Sequence, residues 1–325
     1  MPFKVVVTGA TGFMGMHLTS RLMSMGAEVA IVVRGTSRIP EWMASRAHVI
    51  TADASGSWTG EVRSYAPDVC FHLAAQSIQV HDDSTVGHLL DANVIMGTQL
   101  LQALSHLEGV RFVNVGSVWQ HHDSRPYGPS SLYAATKQAF VDIVQFYAEC
   151  CGVRAATVEF PDTYGPADER KKLLRLLVDA SETGVALQMS PGGQVIEMIH
   201  IDDVVDALLA TLSAASHEAP SFRVPGEVLR LKEFVGVVSL MLGAEVPVHW
   251  GARPYRPRET METWNHFPCV ADWERKRSLF TELPVALASL RDRANTSVRI
   301  PAQPTKQPLE ITEVSITSSD RLTTS

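Results

Sequence analysis

A tyrosine and a lysine stand four residues apart, at Tyr133 and Lys137. On a helix this spacing puts both side chains on one face, one turn apart. A phenol with a pKa of about 10 is a poor proton donor or acceptor at neutral pH unless a nearby cation lowers that pKa. We therefore predict acid–base chemistry in which Lys137 lowers the pKa of Tyr133. The alternative is a half-exposed Tyr and Lys on an ordinary amphipathic helix.

A glycine-rich loop lies near the start of the chain, in Thr8-Gly9-Ala10-Thr11-Gly12-Phe13-Met14-Gly15. An apolar run precedes it, and Leu18 and Leu22 follow it at helical spacing. In such a strand–loop–helix unit, the first glycine permits a tight turn and the second lets a pyrophosphate approach the backbone. The third allows the helix to pack closely on the strand. The loop predicts a dinucleotide site, with a purely structural glycine turn as the alternative.

The residues after the second predicted strand indicate which dinucleotide binds. NAD-binding folds carry Asp or Glu about 20 residues after the glycine loop, for the ribose 2′-hydroxyl. Here the strand ends at Arg34, with Arg38 nearby and no carboxylate. Guanidinium groups suit a 2′-phosphate, so NADP(H) is predicted over NAD(H); two solvated surface arginines are the alternative. Asp53 is a candidate partner for the adenine amino group, or else a surface aspartate.

These residues lie on a chain in which strands alternate with helices. Apolar runs predict strands at 4–8, 28–33, 49–51, 69–73, 110–115 and 155–160. Helical periodicity predicts helices at 14–25, 86–104 and 132–148. Alternating strands and helices imply right-handed crossovers. The predicted fold is α/β, a Rossmann-type doubly wound parallel sheet with helices on both faces.

The second half of the chain predicts a smaller mixed α/β lobe, with helices at 171–182, 202–212 and 231–242. We expect a dinucleotide-binding domain at residues 1–160, re-entered at about 198–225, and a substrate-binding lobe at 161–197 and 226–295. From residue 296 onward Pro, Gln, Ser and Thr dominate, which predicts a flexible tail over 296–325. Alternating apolar residues at 309–316 could instead dock as a strand.

Composition excludes several classes of function. The chain has 325 residues, of which 45% are hydrophobic, and a formal net charge of −7, which argues against binding to nucleic acid or anionic membranes. No apolar run reaches the roughly 20 residues of a membrane-spanning helix, and the first residues lack a signal-peptide pattern. The four cysteines form neither a disulfide framework nor a metal-ligand spacing. We expect a cytoplasmic protein without a metal site.

The glycine loop and the Tyr133–Lys137 pair resemble the extended short-chain dehydrogenase/reductases, in their nucleotide-sugar epimerase/dehydratase/reductase branch. Further matches are His72-Leu73-Ala74-Ala75-Gln76, Asn93-Val94-Ile95-Met96-Gly97-Thr98, Asn114-Val115-Gly116-Ser117, Phe160-Pro161-Asp162-Thr163-Tyr164-Gly165-Pro166 and His200-Ile201-Asp202-Asp203-Val204. The resemblance implies a catalytic triad of Ser117, Tyr133 and Lys137, with Asn93 in a structural or proton-relay role. The residues that it implies at the cofactor, besides Tyr133 and Lys137, are Gly9, Thr11, Gly12, Phe13, Met14, Gly15, Leu73, Ala74, Ala75, Phe160 and Pro161.

Three further stretches, 118–122, 132–140 and 162–173, narrow this resemblance to one type of enzyme. They are similar to the reductases that make deoxysugars from CDP- or dTDP-linked 4-keto-6-deoxyhexoses, the CDP-abequose/paratose synthase type. Dehydratases of the branch follow the serine position with an Asp-Glu pair, whereas Val118, Trp119 and Gln120 stand here. The resemblance therefore implies NADPH-dependent reduction of the 4-keto group. The alternatives are a nucleotide-sugar 4-epimerase with bound NAD and a non-catalytic NADP-binding sensor or scaffold protein.

The expected partners are a nucleotide-sugar substrate and a second copy of the chain. A nucleoside diphosphate carries about two negative charges, so its site needs basic residues, although basic runs are often only solvated. The predicted substrate-binding residues are Gln76, Ser117, Trp119, Asp162, Thr163, Arg170, Lys172, Gln194, Arg256 and Arg258. Related enzymes pair the helices corresponding to 86–104 and 132–148 across a two-fold axis, which implies a homodimer.

Overall fold

The computed structural model describes residues 3–78 and 80–292. Its strands are β1 (Lys4–Thr8), β2 (Glu28–Arg34), β3 (His48–Ala52), β4 (Val69–His72), β5 (Arg111–Ser117), β6 (Arg154–Phe160), β7 (Asp162–Tyr164), β8 (Leu187–Gln188), β9 (Val195–His200), β10 (Ser221–Arg223), β11 (Glu227–Arg230) and β12 (Val248–His249). Its helices are α1 (Phe13–Ser24), α2 (Glu41–Ala44), α3 (Trp58–Tyr65), α4 (Val86–Leu90), α5 (Met96–Leu104), α6 (Leu132–Cys151), α7 (Leu173–Thr183), α8 (Ile201–Ala210), α9 (Leu231–Leu242) and α10 (Leu279–Arg291).

The described residues form a parallel sheet of seven strands, six of which come from the first half of the chain. The strand order is β10-β6-β5-β4-β1-β2-β3, and every neighbouring pair is parallel. The chain winds outward from β1 through β2 and β3, then returns to β4 on the other side of β1. Ligands of such sheets bind at this reversal, beyond the carboxyl ends of the strands. The predicted Rossmann-type α/β fold is confirmed.

Helices cover both faces of this sheet because the strands are apolar on both sides. Val5 and Val7 of β1 pack into a core shared with α1 and α8, whereas Val6 points into the opposite core with α3, α5 and α6. Alternation of side chains along a strand produces this division. The predicted helix at 86–104 is present but contains a turn of π-helix at Asp91–Ile95 between α4 and α5.

A smaller lobe stands beyond the carboxyl edge of the large sheet. Its three-stranded sheet has the order β11-β9-β7 and is covered by α7, α9 and α10 around a separate apolar core that includes Leu177, Phe234 and Leu283. The strand at 195–200 belongs to this sheet, and the chain then returns with α8, which lies against α1, and with β10. The exact domain boundaries remain a prediction. Helix α10, which contains Pro284, was not anticipated.

Two buried carboxylates join the lobe to the large sheet. Asp203 of α8 is fully buried and accepts hydrogen bonds from the backbone amides of Lys276 and Arg277, both at 3.1 Å, and from the Arg277 guanidinium at 2.8 Å. Glu197 of β9 pairs with Arg223 of β10 at 2.6 and 2.7 Å. Burial raises the pKa of Glu197 and the Arg223 charge opposes that shift. Breaking either pair would leave an uncompensated buried charge.

No helix among the described residues is long and apolar enough to cross a membrane. The predicted tail at 296–325 lies outside the described residues.

The buried His72 gives this fold a testable pH dependence. Burial, and then the positive charge of Lys137, lower the pKa of His72 to about 3, whereas an unfolded histidine titrates at about 6.5. Because the unfolded chain binds a proton that the folded chain excludes, the free energy of unfolding falls as the pH drops from about 6.5 towards 3. Between pH 7 and pH 5 this residue should account for about 2 kcal/mol of the loss.

Urea unfolding at both pH values measures this contribution in the wild type, in His72→Asn and in His106→Asn, whose histidine is exposed. Between pH 7 and pH 5, the free energy of unfolding of His72→Asn should fall by about 2 kcal/mol less than that of the wild type or of His106→Asn. This difference does not depend on the starting stability of the variant. An equal loss in all three proteins would contradict a neutral, buried His72.

Candidate active site

The glycine loop after β1 has almost no free space around its first and third glycines. Gly9 has φ +69°, and a Cβ on it would lie 2.7 Å from the backbone nitrogen of Ala74. A Cβ on Gly15 would lie 2.1 Å from the Gly9 carbonyl oxygen. Gly12 is the N-cap of α1 and has no side chain to cap the first amides of the helix. These amides, together with the positive end of the helix dipole, suit a phosphate.

The loop after β4 is held against the glycine loop by hydrogen bonds. The Thr8 hydroxyl accepts from the Ala74 amide at 3.1 Å and contacts His72 Nδ1 at 2.9 Å. Asn93, in the π-turn, accepts from the Gln76 amide at 2.7 Å and donates to the Gln76 carbonyl at 3.1 Å and to the Thr136 hydroxyl at 2.9 Å. These contacts give Asn93 a structural role, in tying this loop to α6.

Tyr133 and Lys137 lie in the first two turns of α6, as their spacing predicts. The helix begins beside them because the Ser131 hydroxyl accepts from the Ala134 amide at 3.2 Å. Lys137 is only 2% exposed, and burial lowers its pKa to about 8. Burial, and then the charge of Asp162, raise the pKa of Tyr133 to about 12, while a hydrogen bond with Ser117 opposes this. Burial therefore dominates, and the pKa of Tyr133 moves upward where we expected Lys137 to lower it.

Ser117 stands at the carboxyl end of β5, paired with Phe160 of β6. Its hydroxyl accepts from the Trp119 amide at 3.3 Å, and its own amide donates to Gln120 Oε1 at 2.9 Å. The Trp119 ring meets the Tyr133 ring edge to face, with centroids 6.3 Å apart. The predicted residues Ser117, Tyr133 and Lys137 thus meet at the edge of the sheet where the glycine loop opens.

Sequence reasoning missed three residues beside this site, Glu159, His121 and Trp264. Glu159, in the apolar strand β6, accepts from His121 Nε2 at 2.9 Å and from Gln120 Nε2 at 3.3 Å. Burial raises the pKa of Glu159, and the hydrogen bond and charge of His121 and the charge of Arg223 oppose the shift. Trp264 stacks on His121 with ring centroids 4.1 Å apart. A glutamate inside the predicted strand at 155–160, which carries no other charge, was the one available signal for this cluster.

A cleft of about 680 Å³ lies between the large sheet and the lobe, a volume typical of small-molecule sites. Several predicted residues line it, namely Trp119, Pro161, Asp162, Thr163, Lys172, Gln194 and Arg256. Two basic residues that were not among the predicted substrate-binding residues, Lys171 and Arg253, line it as well. The cleft therefore unites residues from both halves of the chain around one cavity.

The predicted basic residues take different positions around this cleft. Arg256 contacts Glu259 at 2.6 Å and lies 5.7 Å from the centroid of the Trp119 ring. Lys172 Nζ lies 3.3 Å from Asp162 Oδ1. Each of these two cations faces the cleft beside a carboxylate.

Two other predicted arginines make contacts within the protein. Arg170 binds the Asp168 carboxylate at 2.6 and 2.7 Å, and its guanidinium covers the Phe13 ring at 4.3 Å from the centroid. Arg258 donates to the Pro129 carbonyl at 2.5 Å. Neither lines the cleft. Their placement ties the rim of the cleft to the glycine loop and to the loop before α6.

The residues predicted to bind the 2′-phosphate and the adenine of the dinucleotide lie at or just after the ends of β2 and β3. Arg34 and Arg38 are both exposed, and Arg34 ends β2 next to the edge on which the glycine loop sits. Asp53 accepts from the Ser55 amide at 2.9 Å and from its hydroxyl at 2.5 Å, and these bonds lower the pKa of Asp53. The Asp53 carboxylate thus closes its own turn, as a surface aspartate does.

The glycine loop fits a dinucleotide, because Gly12 at the N-cap of α1 has no side chain to cover the first amides of the helix. Bound there, the pyrophosphate would face the N-terminus of α1. The buried ammonium of Lys137 and the loop from Leu73 to Gln76 lie on the same edge, where a ribose needs hydrogen-bonding groups.

Comparisons with known proteins agree with this geometry. A model of the NAD dependent epimerase/dehydratase family matches residues 5–224. A CDP-abequose synthase from Salmonella typhimurium is 26% identical over 271 residues, covering 79% of this chain and 87% of that protein. A UDP-glucose 4-epimerase from Mycolicibacterium smegmatis is 28% identical over 232 residues, covering 63% of this chain and 72% of that protein.

A solved structure shares the fold. UDP-glucuronic acid 4-epimerase from Bacillus cereus, in complex with UDP-glucuronic acid and NAD, superposes with a TM-score of 0.78 and covers 89% of this chain and 99% of its own. At 18% sequence identity this likeness concerns the fold alone.

Gly15→Ala is expected to lower the free energy of unfolding by about 1–3 kcal/mol, because the new Cβ must push the loop away from the helix. Gly236 of α9 is the matched control, since a Cβ there meets nothing within 4 Å. Gly236→Ala should leave stability unchanged or raise it by about 0.5–1 kcal/mol. Thermal unfolding of both variants measures the difference, and equal melting temperatures would contradict the tight contact.

Proposed function

Because the chain belongs to the NAD-dependent epimerase/dehydratase family, we propose that it reduces the 4-keto group of a CDP- or dTDP-linked 4-keto-6-deoxyhexose with NADPH. It is an enzyme of the extended short-chain dehydrogenase/reductase type. The observation that carries the proposal is that Tyr133, one helical turn before Lys137, hydrogen-bonds Ser117, and that Trp119, whose ring meets Tyr133, lines the cleft. A hydroxyl, a phenol and an ammonium are the groups that a ketone needs as it becomes an alcohol.

The bound nicotinamide would supply the hydride to C4 of the sugar. Ser117 and Tyr133 would hold the ketone oxygen by hydrogen bonds, and the phenol would give that oxygen its proton as negative charge develops. With its pKa raised to about 12, Tyr133 keeps its proton at neutral pH until the oxygen takes it. Lys137, with a pKa of about 8, is mostly protonated at neutral pH and stabilises the phenolate that remains.

Two observations favour reduction over dehydration and epimerisation. Val118, Trp119 and Gln120 follow Ser117, so the β5 end carries no carboxylate for an elimination. Arg34 and Arg38, at and just after the end of β2, favour NADP(H), which a reductase consumes, over the NAD that a 4-epimerase retains.

The cleft supports a nucleotide sugar as the substrate. Lys171, Lys172, Arg253 and Arg256 line it and could meet a pyrophosphate, while Trp119 offers an aromatic face beside Tyr133. The CDP-abequose synthase relative points to the same class. For the cofactor, Arg34 and Arg38 beside the end of β2 favour the 2′-phosphate of NADPH. The predicted homodimer and cytoplasmic location remain proposals.

A panel of CDP-, dTDP-, UDP- and GDP-linked 4-keto sugars with NADPH or NADH tests the proposal. We expect stoichiometric oxidation of NADPH with a CDP- or dTDP-linked ketone, a lower rate with NADH, and a C4 alcohol identified by NMR. Tightly bound NAD in the purified protein, with interconversion of two sugars and no net cofactor use, would instead establish a 4-epimerase. Cofactor binding without any turnover on the panel would favour a sensor or scaffold protein.

Tyr133→Phe should lower kcat by roughly 10²–10⁴-fold, the usual contribution of a positioned general acid. The dissociation constant for NADPH should change by no more than about threefold, because the phenol acts on the ketone and not on the phosphates. Tyr127→Phe is the matched control, since Tyr127 is 67% exposed on a loop. Steady-state kinetics and NADPH fluorescence measure both effects. Near-normal turnover by Tyr133→Phe would refute the mechanism.

A further inference from the structure

A chain of three hydrogen bonds connects His121, through the buried Glu159 carboxylate and Gln120, to the backbone of Ser117. Glu159 is 1% exposed, and its Oε1 accepts from His121 Nε2 at 2.9 Å and from Gln120 Nε2 at 3.3 Å. The other end of the Gln120 amide, Oε1, accepts from the Ser117 N–H at 2.9 Å. Gln120 is also fully buried, and its Nε2 donates to Gln138 at 3.0 Å. The orientation of Gln120 is thus set from both ends.

A glycine makes room for these side chains. Gly116 pairs with Glu159 across β5 and β6. A Cβ on Gly116 would lie 2.8 Å from Glu159 Cγ and 3.2 Å from Gln120 Oε1. A side chain at position 116 would therefore push both groups away from Ser117. Glycine at position 116 therefore leaves the space that the side chains of Glu159 and Gln120 occupy.

Hydrogen-bond stereochemistry indicates how the cluster is charged. His121 Nδ1 faces the carbonyl oxygens of Arg125 at 3.1 Å and Pro126 at 3.0 Å, which can only accept, so Nδ1 carries a proton. Nε2 faces the Glu159 carboxylate. A proton on Nε2 as well makes the ring an imidazolium paired with a carboxylate, and the Gln120 Nε2 donor on the same Glu159 oxygen favours that state over a neutral pair. The parallel stack of Trp264, at 4.1 Å and 11° between planes, places an aromatic face over that cation.

The same two rings form part of the cleft wall. His121 and Trp264 both line the cavity, and the Phe267 ring meets His121 edge to face at 5.3 Å. Ser117 and the wall of the cleft are thereby fixed by one buried pair. A hydroxyl that must meet an oxygen in the transition state loses much of its effect when it is displaced by an ångström or less.

We propose that His121 and Glu159 are positioning residues, a buried ion pair that acts through Gln120 to hold Ser117 towards the substrate oxygen. The inference rests on the proposed reduction, because that reaction gives the position of Ser117 its consequence. The pair itself undergoes no chemical change during turnover.

Kinetics of four variants test the pair. Glu159→Leu removes the acceptor of both partners, and His121→Phe keeps a ring against Trp264 but loses both hydrogen bonds. Each should lower kcat by roughly tenfold or more while the KM for NADPH stays within about twofold. Glu159→Gln keeps an oxygen for Gln120 and should restore at least about a third of the wild-type kcat. His106→Phe, at an exposed histidine, is the control and should match the wild type.

Folded Glu159→Leu and His121→Phe proteins with kcat within about twofold of the wild type would overturn the positioning role. A wild type that turns over no 4-keto sugar would instead refute the proposed function. Nitrogen-15 NMR of the wild-type histidine rings at neutral pH tests the ion pair separately, and also serves if the variants fail to fold. A proton on both ring nitrogens of His121 is expected, and an unprotonated Nε2 would overturn the pair.

Discussion

The backbones of the loops after β1 and β4 touch, and the geometry of the site follows from that contact. A Cβ on Gly9 would lie 2.7 Å from the Ala74 nitrogen, so there is no room between the two loops even for a methyl group. Because β1 and β4 are neighbours where the strand order reverses, the contact places the N-terminus of α1 beside the loop after β4. Asn93 then ties that loop to Thr136, and so to the helix that carries Tyr133 and Lys137.

Burial at this junction acts on the two titratable groups in opposite directions. It raises the pKa of Tyr133 to about 12 and lowers that of Lys137 to about 8, since removal from water disfavours the phenolate and the ammonium alike. At neutral pH the phenol is therefore protonated, and the lysine is still mostly so. The site at rest thus holds a protonated phenol next to a cation, the state from which a carbonyl oxygen can be protonated during reduction.

The sequence was sufficient for features whose partners are near in the chain or repeat with a regular period. The apolar strands, the glycine loop and the Tyr133–Lys137 spacing each depend on a few neighbouring residues, and the fold and the meeting of Ser117 with Tyr133 follow from them. The partners of His121 could not be predicted, because Glu159 and Trp264 stand 38 and 143 positions away and meet His121 only in the folded chain. A charge in the apolar strand β6 signals a buried partner without identifying it.

The partners of the basic residues near the cleft could not be predicted from the sequence either, and these partners affect how the cleft would bind a phosphate. Lys172 lies near Asp162 and Arg256 near Glu259, whereas Arg170, which does not line the cleft, is held by Asp168. Composition alone cannot separate a cation that faces a ligand from one that clamps a loop. Because the first two cations already lie beside carboxylates, a pyrophosphate would have to share or replace those partners. Affinity for the nucleotide would then depend on the difference between two sets of ion pairs, which favours ligands whose phosphates reach several cations at once.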